Sequence, residues 1–524
     1  MTPRLRIPQV ADKLDPNFQT HKVYVEEWTE GLPFADPLRV FRLLYDRVDA
    51  LNHAPVKPAT RAELLEVILL PYTRMVARHS RLAGQQSAVA FERYRDEADA
   101  ARQVAQQFAL GYKLLLLETA NRRSGFGGQR LARLAAQRAT QCLAYLLLHG
   151  YHQYLPSVEQ VWPELYELYT YAAEQDFAQA PSRAIGQRPE LGDSISLTYA
   201  RVILIGATDP LHLPYGHVWR VFDYLTSVKA TIRIHPVAAA QVEATTLILC
   251  ADEVPRRAAE MTAGLPDNSW LLSPQPVSQA LQKLPAFERD PTLRLVANTL
   301  ASPAQRRSPR MPDAGMLRLA VGLSTVHHFS GGEATLAVAP RPSKVEGGDG
   351  TIDIEEFGPD EVRPLRSIYS NDIWEIENRS SSGACLVRNR RSLSAPLVGA
   401  LVGVQATQES TGNSSTPWAI AVVRWLAVKN DGEHRIGIEL LSSNARPVQI
   451  RVKHEDDDAT SRTHPALVLA SEDKSIINMV APSGIYAKGR VVSAMLGQQT
   501  IGLKMSGLNE RTETIDRFAC IQAP

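Results

Sequence analysis

The chain has 524 residues, of which 44% are hydrophobic and 22% charged, and its formal net charge is +1. That length predicts about three or four domains, the balance is that of a globular protein, and near-neutrality excludes a global field that would hold a polyanion, so any basic site must be local. The four cysteines, Cys142, Cys250, Cys385 and Cys520, stand far apart without a CxxC or a Cys/His cluster, which argues against a zinc site or a disulfide framework and suits a reducing cytoplasm.

The N-terminus, MTPRLRIPQVADKLDP, lacks an apolar core of signal-peptide length. Apolar runs such as Leu143–Leu148 and Val398–Val404 fall far short of the roughly 20 residues of a membrane span, so a soluble protein with no membrane span is expected. Residues 1–35 read as an irregular lead-in. Helical signals then dominate. Asp36 followed by Pro37 is an N-cap with a proline at the first helical position, and Leu38, Phe41, Leu44, Tyr45, Val48 and Leu51 recur at helical spacing. Thr60 to Glu63 fits a capping box. Long helical patterns follow at 86–120 and 129–150, and shorter ones near 156–176, 193–207 and 215–228. The glycine-rich Ser124–Gly128 reads as a helix–helix turn, since it lacks GxGxxG and a P-loop lysine. Residues 1–230 are therefore expected to form an all-α array of antiparallel hairpins, with no fixed repeat period.

Residues 231–300 mix apolar strand-like segments (ATIRIHPV, TTLILCAD, SWLLS) with a helical stretch at 276–284 and read as a small α/β segment. From residue 301 the period changes to two. MLRLAVGLSTVHHF, DIWEIENRS, GACLVRN, GALVGVQAT, WAIAVVRWLAV, HRIGIELLS and RPVQIRV are strand-like, separated by turn clusters. Short strands with regular turns mean a small barrel or sandwich over 301–453. The Gly-, Pro- and acid-rich residues 341–366 interrupt it as an insertion. Residues 454–465 read as a linker with a solvated acidic run, Asp456–Asp458, before a C-terminal β module at 466–524. The fold class expected is multidomain α plus β.

Two clusters can carry chemistry. Arg306, Arg307 and Arg310 lie in RRSPR before the first strand; Asn378, Ser380 and Gly383 lie in NRSSSG, in the turn expected after DIWEIE. Arginine grips phosphate bidentately, reads guanine O6 and N7 and stacks on a base. Asn378 and Ser380 offer short donors and acceptors able to read the Watson–Crick edge of a base, and Gly383 permits positive φ or close backbone approach. The inventory suits a compact ligand with phosphates and guanines. The plainer readings are a solvated interdomain linker for the arginines and an ordinary hairpin turn for NRSSSG. His327 and His328 are expected on the first strand as packing residues, with no third ligand for a metal. Trp418 and Trp425 read as barrel packing before base stacking. Arg388, Arg390 and Arg391 either add to the pocket or form an exposed strand-end cluster.

These residues resemble the PilZ family, whose pattern is RxxxR before the first strand and [D/N]xSxxG after the next. Arg306 and Arg310 match the first element, and Asn378, Ser380 and Gly383 the second; VGALVGVQ, WAIAVVRWL and RIGIELLS are similar to that family's later strands. RxxxR is weak alone, since Arg74 and Arg78 also match it inside an evident helix. Order and context carry the resemblance, over about residues 303–453. The spacing between the elements is longer than in the family, which the 341–366 insertion explains. A rival arginine assignment, Arg363 and Arg366, is closer to the turn but spaced RxxR. The resemblance implies binding of cyclic di-GMP, usually as a self-intercalated dimer wrapped by the arginine segment, with no cofactor. GxSxG, HExxH and convincing carboxylate or metal sets are absent from the sequence, so an enzyme is not expected. The expectation is a cytoplasmic cyclic di-GMP receptor that couples the barrel to a helical domain holding an unknown protein partner, with no nucleic acid polymer bound. The alternatives are a structural or adaptor protein with a degenerate, non-binding PilZ fold, and an enzyme in the helical half gated by the barrel.

Overall fold

A computed structural model describes residues 3–523 except 84–87, 121–125, 157–160, 183–191, 238–241, 252–253, 262–263, 267, 303–308, 332–368, 389–395, 408–416, 430–431, 453–461, 471–475 and 497–498. The chain divides into two compact units, Met1–Arg307 with Arg391–Leu393 and Leu426–Gly432, and Ser308–Arg390 with Ser394–Trp425 and Glu433–Pro524.

The first unit opens with α1 (Lys22–Glu30), a helix inside the stretch read as irregular. Val25 of α1 is fully buried, and a single buried side chain in the whole helix leaves no period to read from sequence. Next come α2 (Pro37–His53), α3 (Pro58–Ala83), α4 (Ala88–Ala120), α5 (Phe126–His152), α6 (Val161–Glu174), α7 (Ile195–Ala207) and α8 (His217–Ser227). The Asp36 side chain accepts from the Arg39 amide at 3.1 Å with Pro37 behind it, as the cap signal predicted. The capping box at Thr60 is not used. Helix α3 starts earlier, at Pro58, with the Arg61 amide already bonded to the Lys57 carbonyl at 2.9 Å, because proline's fixed φ favours the first helical position. Of the glycine-rich Ser124–Gly128, read as a turn, Phe126, Gly127 and Gly128 belong to α5, and Ser124 and Gly125 lie outside the described residues.

Helices α3, α4 and α5 are tied together by a polar knot. Glu66 accepts from Tyr112 at 2.8 Å and from the fully buried Arg138 at 2.9 and 3.1 Å. A charge taken out of water this completely needs a partner of opposite sign and saturated hydrogen bonds. Lys113 meets Glu164 of α6 at 2.7 Å in the same way, and Arg201 of α7 meets Asp193 at 2.6 Å.

The α/β segment is a four-stranded sheet of β1 (Ile234–Pro236), β2 (Leu247–Leu249), β3 (Arg256–Arg257) and β4 (Trp270–Leu272), in the order β1-β4-β2-β3, with α9 (Gln275–Gln282) and α10 (Pro291–Ala301). It has no separate core. Leu247, Leu249, Leu272, Val277, Leu281 and Val296 are buried in one cluster with the helical core.

The second unit is β-rich. Its first sheet contains β5 (Met311–Pro312), β6 (Met316–Val321), β7 (Asn371–Ser380), β8 (Gly383–Arg388), β9 (Leu401–Ala406), β10 (Ala419–Val428) and β11 (His434–Ser442), with the short helix α11 (Leu323–Phe329) after β6. The order β5-β7-β6-β9-β10-β11-β8 closes on itself because β7 also pairs with β8. His327 and His328 were expected on the first strand and lie instead on α11. Gly322, at φ 88°, ends the strand, and Leu323, Val326 and His327 are buried at i, i+3 and i+4, a helical stripe that the β-branched sequence disguised. His327 Nε2 donates to the Val448 carbonyl at 3.1 Å. Burial, outweighing that bond, lowers its pKa.

The strand β12 (Ala445–Val452), counted with the first barrel from sequence, belongs to the second. It pairs with β13 (Arg462–Leu469) and β15 (Val491–Leu496), and with β14 (Ile477–Pro482), β16 (Gln499–Arg511) and β17 (Ile515–Gln522) completes a closed barrel in the order β12-β13-β14-β17-β16-β15. Arg462 to Pro465, read as linker, are strand in β13. The two β modules share a core in which Ala320, Val326, Leu401 and Val422 pack with Leu467, Val480 and Ile515. No helix among the described residues is long and apolar enough to cross a membrane.

An ionic clasp joins the two barrels. Arg424 of β10 binds Glu439 at 2.6 Å and forks onto Glu510 of β16, which also meets Arg517 at 3.4 Å. Burial alone would push the Glu510 carboxyl up, but the hydrogen bonds and charges of Arg424 and Arg517 hold it below the ordinary value. A carboxyl with a depressed folded pKa stabilises above its unfolded pKa and loses that contribution as pH falls through the folded value. Glu510→Gln is therefore expected to lower the melting temperature at neutral pH and to flatten its fall on acidification below about pH 4.5. Parallel acid melting curves for the parent and the variant would contradict this.

Candidate functional site

Of the predicted site residues, Arg310, Asn378, Ser380 and Gly383 are described; Arg306 and Arg307 lie outside the described residues, as do Arg363 and Arg366 of the rival assignment and the 341–366 insertion. The structure brings the Arg310 end of the chain beside NRSSSG. Strand β5, which starts one residue after Arg310, pairs antiparallel with the end of β7, Met311 opposite Arg379 and Pro312 opposite Asn378. Directly opposed residues share a face, and the side-chain period is two. Pro312 and Asn378 are thus on one face, and Arg310 immediately precedes the pair of Met311 with Arg379. The Arg310 charge also reaches Cys385, which is opposite Asn378 on β8. Burial pushes the Cys385 thiol up, Arg310 offsets part of that, and Glu433 adds to it.

Asn378 and Ser380 are not in a turn, as the sequence suggested. They end β7, and the turn is the pair Ser381-Ser382, closed by Ser380 opposite Gly383. The reason is that β7 continues its pairing with β8 through an irregularity at Glu377, between Ile376 and Asn378. Such a bulge adds a residue to one strand and re-aims the side chains beside it. Ser380 Oγ donates to the Gly383 carbonyl at 3.4 Å. Gly383 is required by close approach: a Cβ there would stand 2.1 Å from the Ile438 carbonyl oxygen of β11.

The bulge places Glu377 with Asn378. Its Oε2 accepts from the Cys385 thiol at 3.1 Å and faces Asn378 Nδ2 at 3.5 Å, and its Oε1 binds Arg435 of β11. Asn378 Oδ1 is enclosed and has no hydrogen-bond partner. Cys385 lies opposite Gly437 on β11, and the Trp425 indole covers Gly437 so closely that a Cβ there would overlap it at 1.8 Å. Trp425 accordingly presents its ring on the face that carries Cys385 and Asn378. Trp418 is packing, stacked on Phe329 at 5.2 Å. Arg388 is not free for a ligand: it pairs with Asp372 at 2.7 Å and lies over the Trp374 ring at 5.7 Å. Arg390 and Arg391 lie outside the described residues. Arg379 is held by Asp313 at 2.7 Å.

Sequence reading missed Glu377, Cys385 and Arg435. Glu377 adjoins the motif, but only the bulge turns it toward Asn378. Arg435 and Cys385 come near it through strand pairing, which leaves no local mark. The arrangement as a whole offers a cation, a flat ring, and neighbouring acceptors on one side of a sheet, the set that suits a nucleotide with anionic phosphates. Among the described residues, no group of His, Cys, Asp and Glu could hold a metal ion.

Comparison with known proteins follows the same division. Residues 23–239 match the family described as the N-terminal domain of the cyclic-di-GMP receptor FimW, and residues 362–447 match the one described as its middle PilZ domain. The second match covers Asn378, Ser380 and Gly383; it begins beyond Arg310 and includes Arg363 and Arg366. The chain is similar to the cyclic-di-GMP receptor FimW of Pseudomonas aeruginosa, 24% identical over 518 residues, covering 87% of this chain and 84% of that protein. No solved structure matches the chain significantly.

Proposed function

We propose that this chain, whose residues 362–447 match a PilZ domain and which is similar over most of its length to a cyclic di-GMP receptor, is itself a receptor for cyclic di-GMP, held at the β7–β8 hairpin beside the Arg310 end of the chain. The observation that carries the reading is the register of β5 on β7, which pairs Pro312 with Asn378 and so brings the Arg310 end of the chain to the motif strand although the two are far apart in sequence. Similarity to a receptor over most of the chain supports it. Isothermal titration with cyclic di-GMP, cyclic GMP and GTP is the test. Saturable binding of cyclic di-GMP with little or none of the other two is expected. No heat with any of them would make the barrel a structural or adaptor element. Among the described residues no disulfide joins the four cysteines, in keeping with a reducing compartment, and we place the receptor in the cytoplasm, acting by binding and not by catalysis.

The finer proposal is that ligand binding is coupled to the helical unit, which offers a surface to a protein partner. The chain passes from α10 to β5 through 302–310, so fixing the arginine end of that segment constrains the connection. Pro309 and Pro312 withhold backbone donors, and Arg310 and Met311 are exposed, so a bound anion is free to add contacts at that end. A ligand that biases two arrangements shifts their populations by its differential affinity. Hydrogen exchange is expected to slow at 310–315 and 378–383 together when cyclic di-GMP saturates the protein. Unchanged exchange at 310–315 would leave the barrel a passive binder.

A further inference from the structure

We propose that Glu377 reads the base of the bound nucleotide, accepting hydrogen bonds from the N1–H and N2–H of a guanine; this rests on the receptor reading above and assigns the base-specific contact within that site. The argument starts from what guanine presents. Its Watson–Crick edge carries two adjacent N–H donors, and a carboxylate is the side chain that accepts two parallel hydrogen bonds, as it does from arginine. The motif position here is Asn378, whose amide has a single acceptor oxygen and a donor beside it, so Asn378 alone cannot take both guanine donors. The carboxylate is supplied by its neighbour. In a regular strand, residues 377 and 378 would face opposite sides of the sheet. The irregularity at Glu377 removes that alternation, and the Glu377 carboxylate stands 3.5 Å from Asn378 Nδ2.

The carboxylate is also held in place. The Cys385 thiol donates to Oε2 at 3.1 Å, and Arg435 binds Oε1. Each oxygen keeps further acceptor capacity. An adenine would turn an unprotonated ring nitrogen toward the same carboxylate, acceptor against acceptor, so the constellation discriminates by repulsion as well as attraction.

A purely structural role for Glu377 is the competing account, in which its pairing with Arg435 braces β7 and β11 across β8. Base discrimination separates the two. Cyclic di-IMP keeps N1–H and lacks the 2-amino group. The parent protein is expected to prefer cyclic di-GMP over cyclic di-IMP. Glu377→Gln should bind cyclic di-GMP roughly tenfold or more weaker and bring the ratio of the two affinities toward one. Arg388→Ala, which removes a different cross-strand ion pair of the same barrel, the one with Asp372 of β7, and leaves Glu377 and its partners untouched, should preserve the ratio. Binding by Glu377→Gln at parent strength or tighter overturns the proposal, as does an equal loss of discrimination in Arg388→Ala. A parent protein that binds no cyclic di-GMP would instead remove the receptor reading itself, and a parent that binds it without preferring it over cyclic di-IMP would remove only the role of Glu377.

Discussion

Arg310→Ala is expected to weaken cyclic di-GMP binding by roughly 10- to 150-fold, the loss of one charge-assisted contact of about 1.5–3 kcal/mol. Arg310 is exposed and, among the described residues, forms no ion pair, so its charge is available to a phosphate. Arg379 and Arg435, by contrast, already bind Asp313 and Glu377. The register of β5 on β7 sets Arg310 one residue before Met311, which is opposite Arg379, and its charge is felt at Cys385. Because the group is exposed in the free protein, its removal should leave the melting temperature almost unchanged. Affinity and stability should therefore separate in this variant. Arg306→Ala is expected to weaken binding in the same range if the RxxxR segment wraps the ligand. The matched PilZ region begins at residue 362 and contains Arg363 and Arg366, so these form the control. If Arg306→Ala and Arg310→Ala bind like the parent while Arg363→Ala and Arg366→Ala fail, the arginine motif is the second pair.

Elements were legible where the signal is local. The Asp36-Pro37 cap works as written, with the Asp36 carboxylate on the Arg39 amide, and the proline-free run from Ser87 to Tyr151 became the long α4 and α5. The change of period near residue 310 separated helix from sheet because the two periodicities are backbone properties. Pairing was not legible. Strand β12 carries the same alternating pattern whichever barrel it joins, and its partners, Arg462–Leu469 and Val492–Met495, are chosen by long-range register. The helix at Leu323–Phe329 was hidden because Leu323, Val326 and His327 satisfy helical spacing inside a β-branched run, and only the positive φ of Gly322 breaks the strand. In the site, the motif residues could be listed from sequence, but Glu377 could not. A bulge has no residue-type signature at this position, and without it Glu377 is one more outward-facing acid on a strand.

Gly383→Ala is expected to reduce cyclic di-GMP affinity by roughly 5- to 150-fold and to lower the melting temperature, both through one contact. The added methyl would stand 2.1 Å from the Ile438 carbonyl oxygen and 3.4 Å from the Glu439 Cα. Those are backbone atoms in the middle of β11, which is itself paired with β8 from Glu439 to His434, so neither can turn aside as a side-chain tip would. The relief has to come from the hairpin: β8 must lift off β11 at its first residue. Ser380 is paired directly with Gly383 and Asn378 with Cys385, so the shift carries both motif side chains away from the Arg310 segment. Inserting a methyl into a packed site costs about 1–3 kcal/mol, which converts to the stated range if the bound geometry bears the strain. Gly437→Ala is the informative contrast. There the methyl overlaps the Trp425 indole at 1.8 Å, a side chain that is only half-buried and can rotate away. That variant should keep the β8–β11 pairing and lose chiefly the ring presented beside Cys385. Calorimetry and thermal melting on both variants read the difference, and full binding by Gly383→Ala would show that the hairpin can move without disturbing the ligand site.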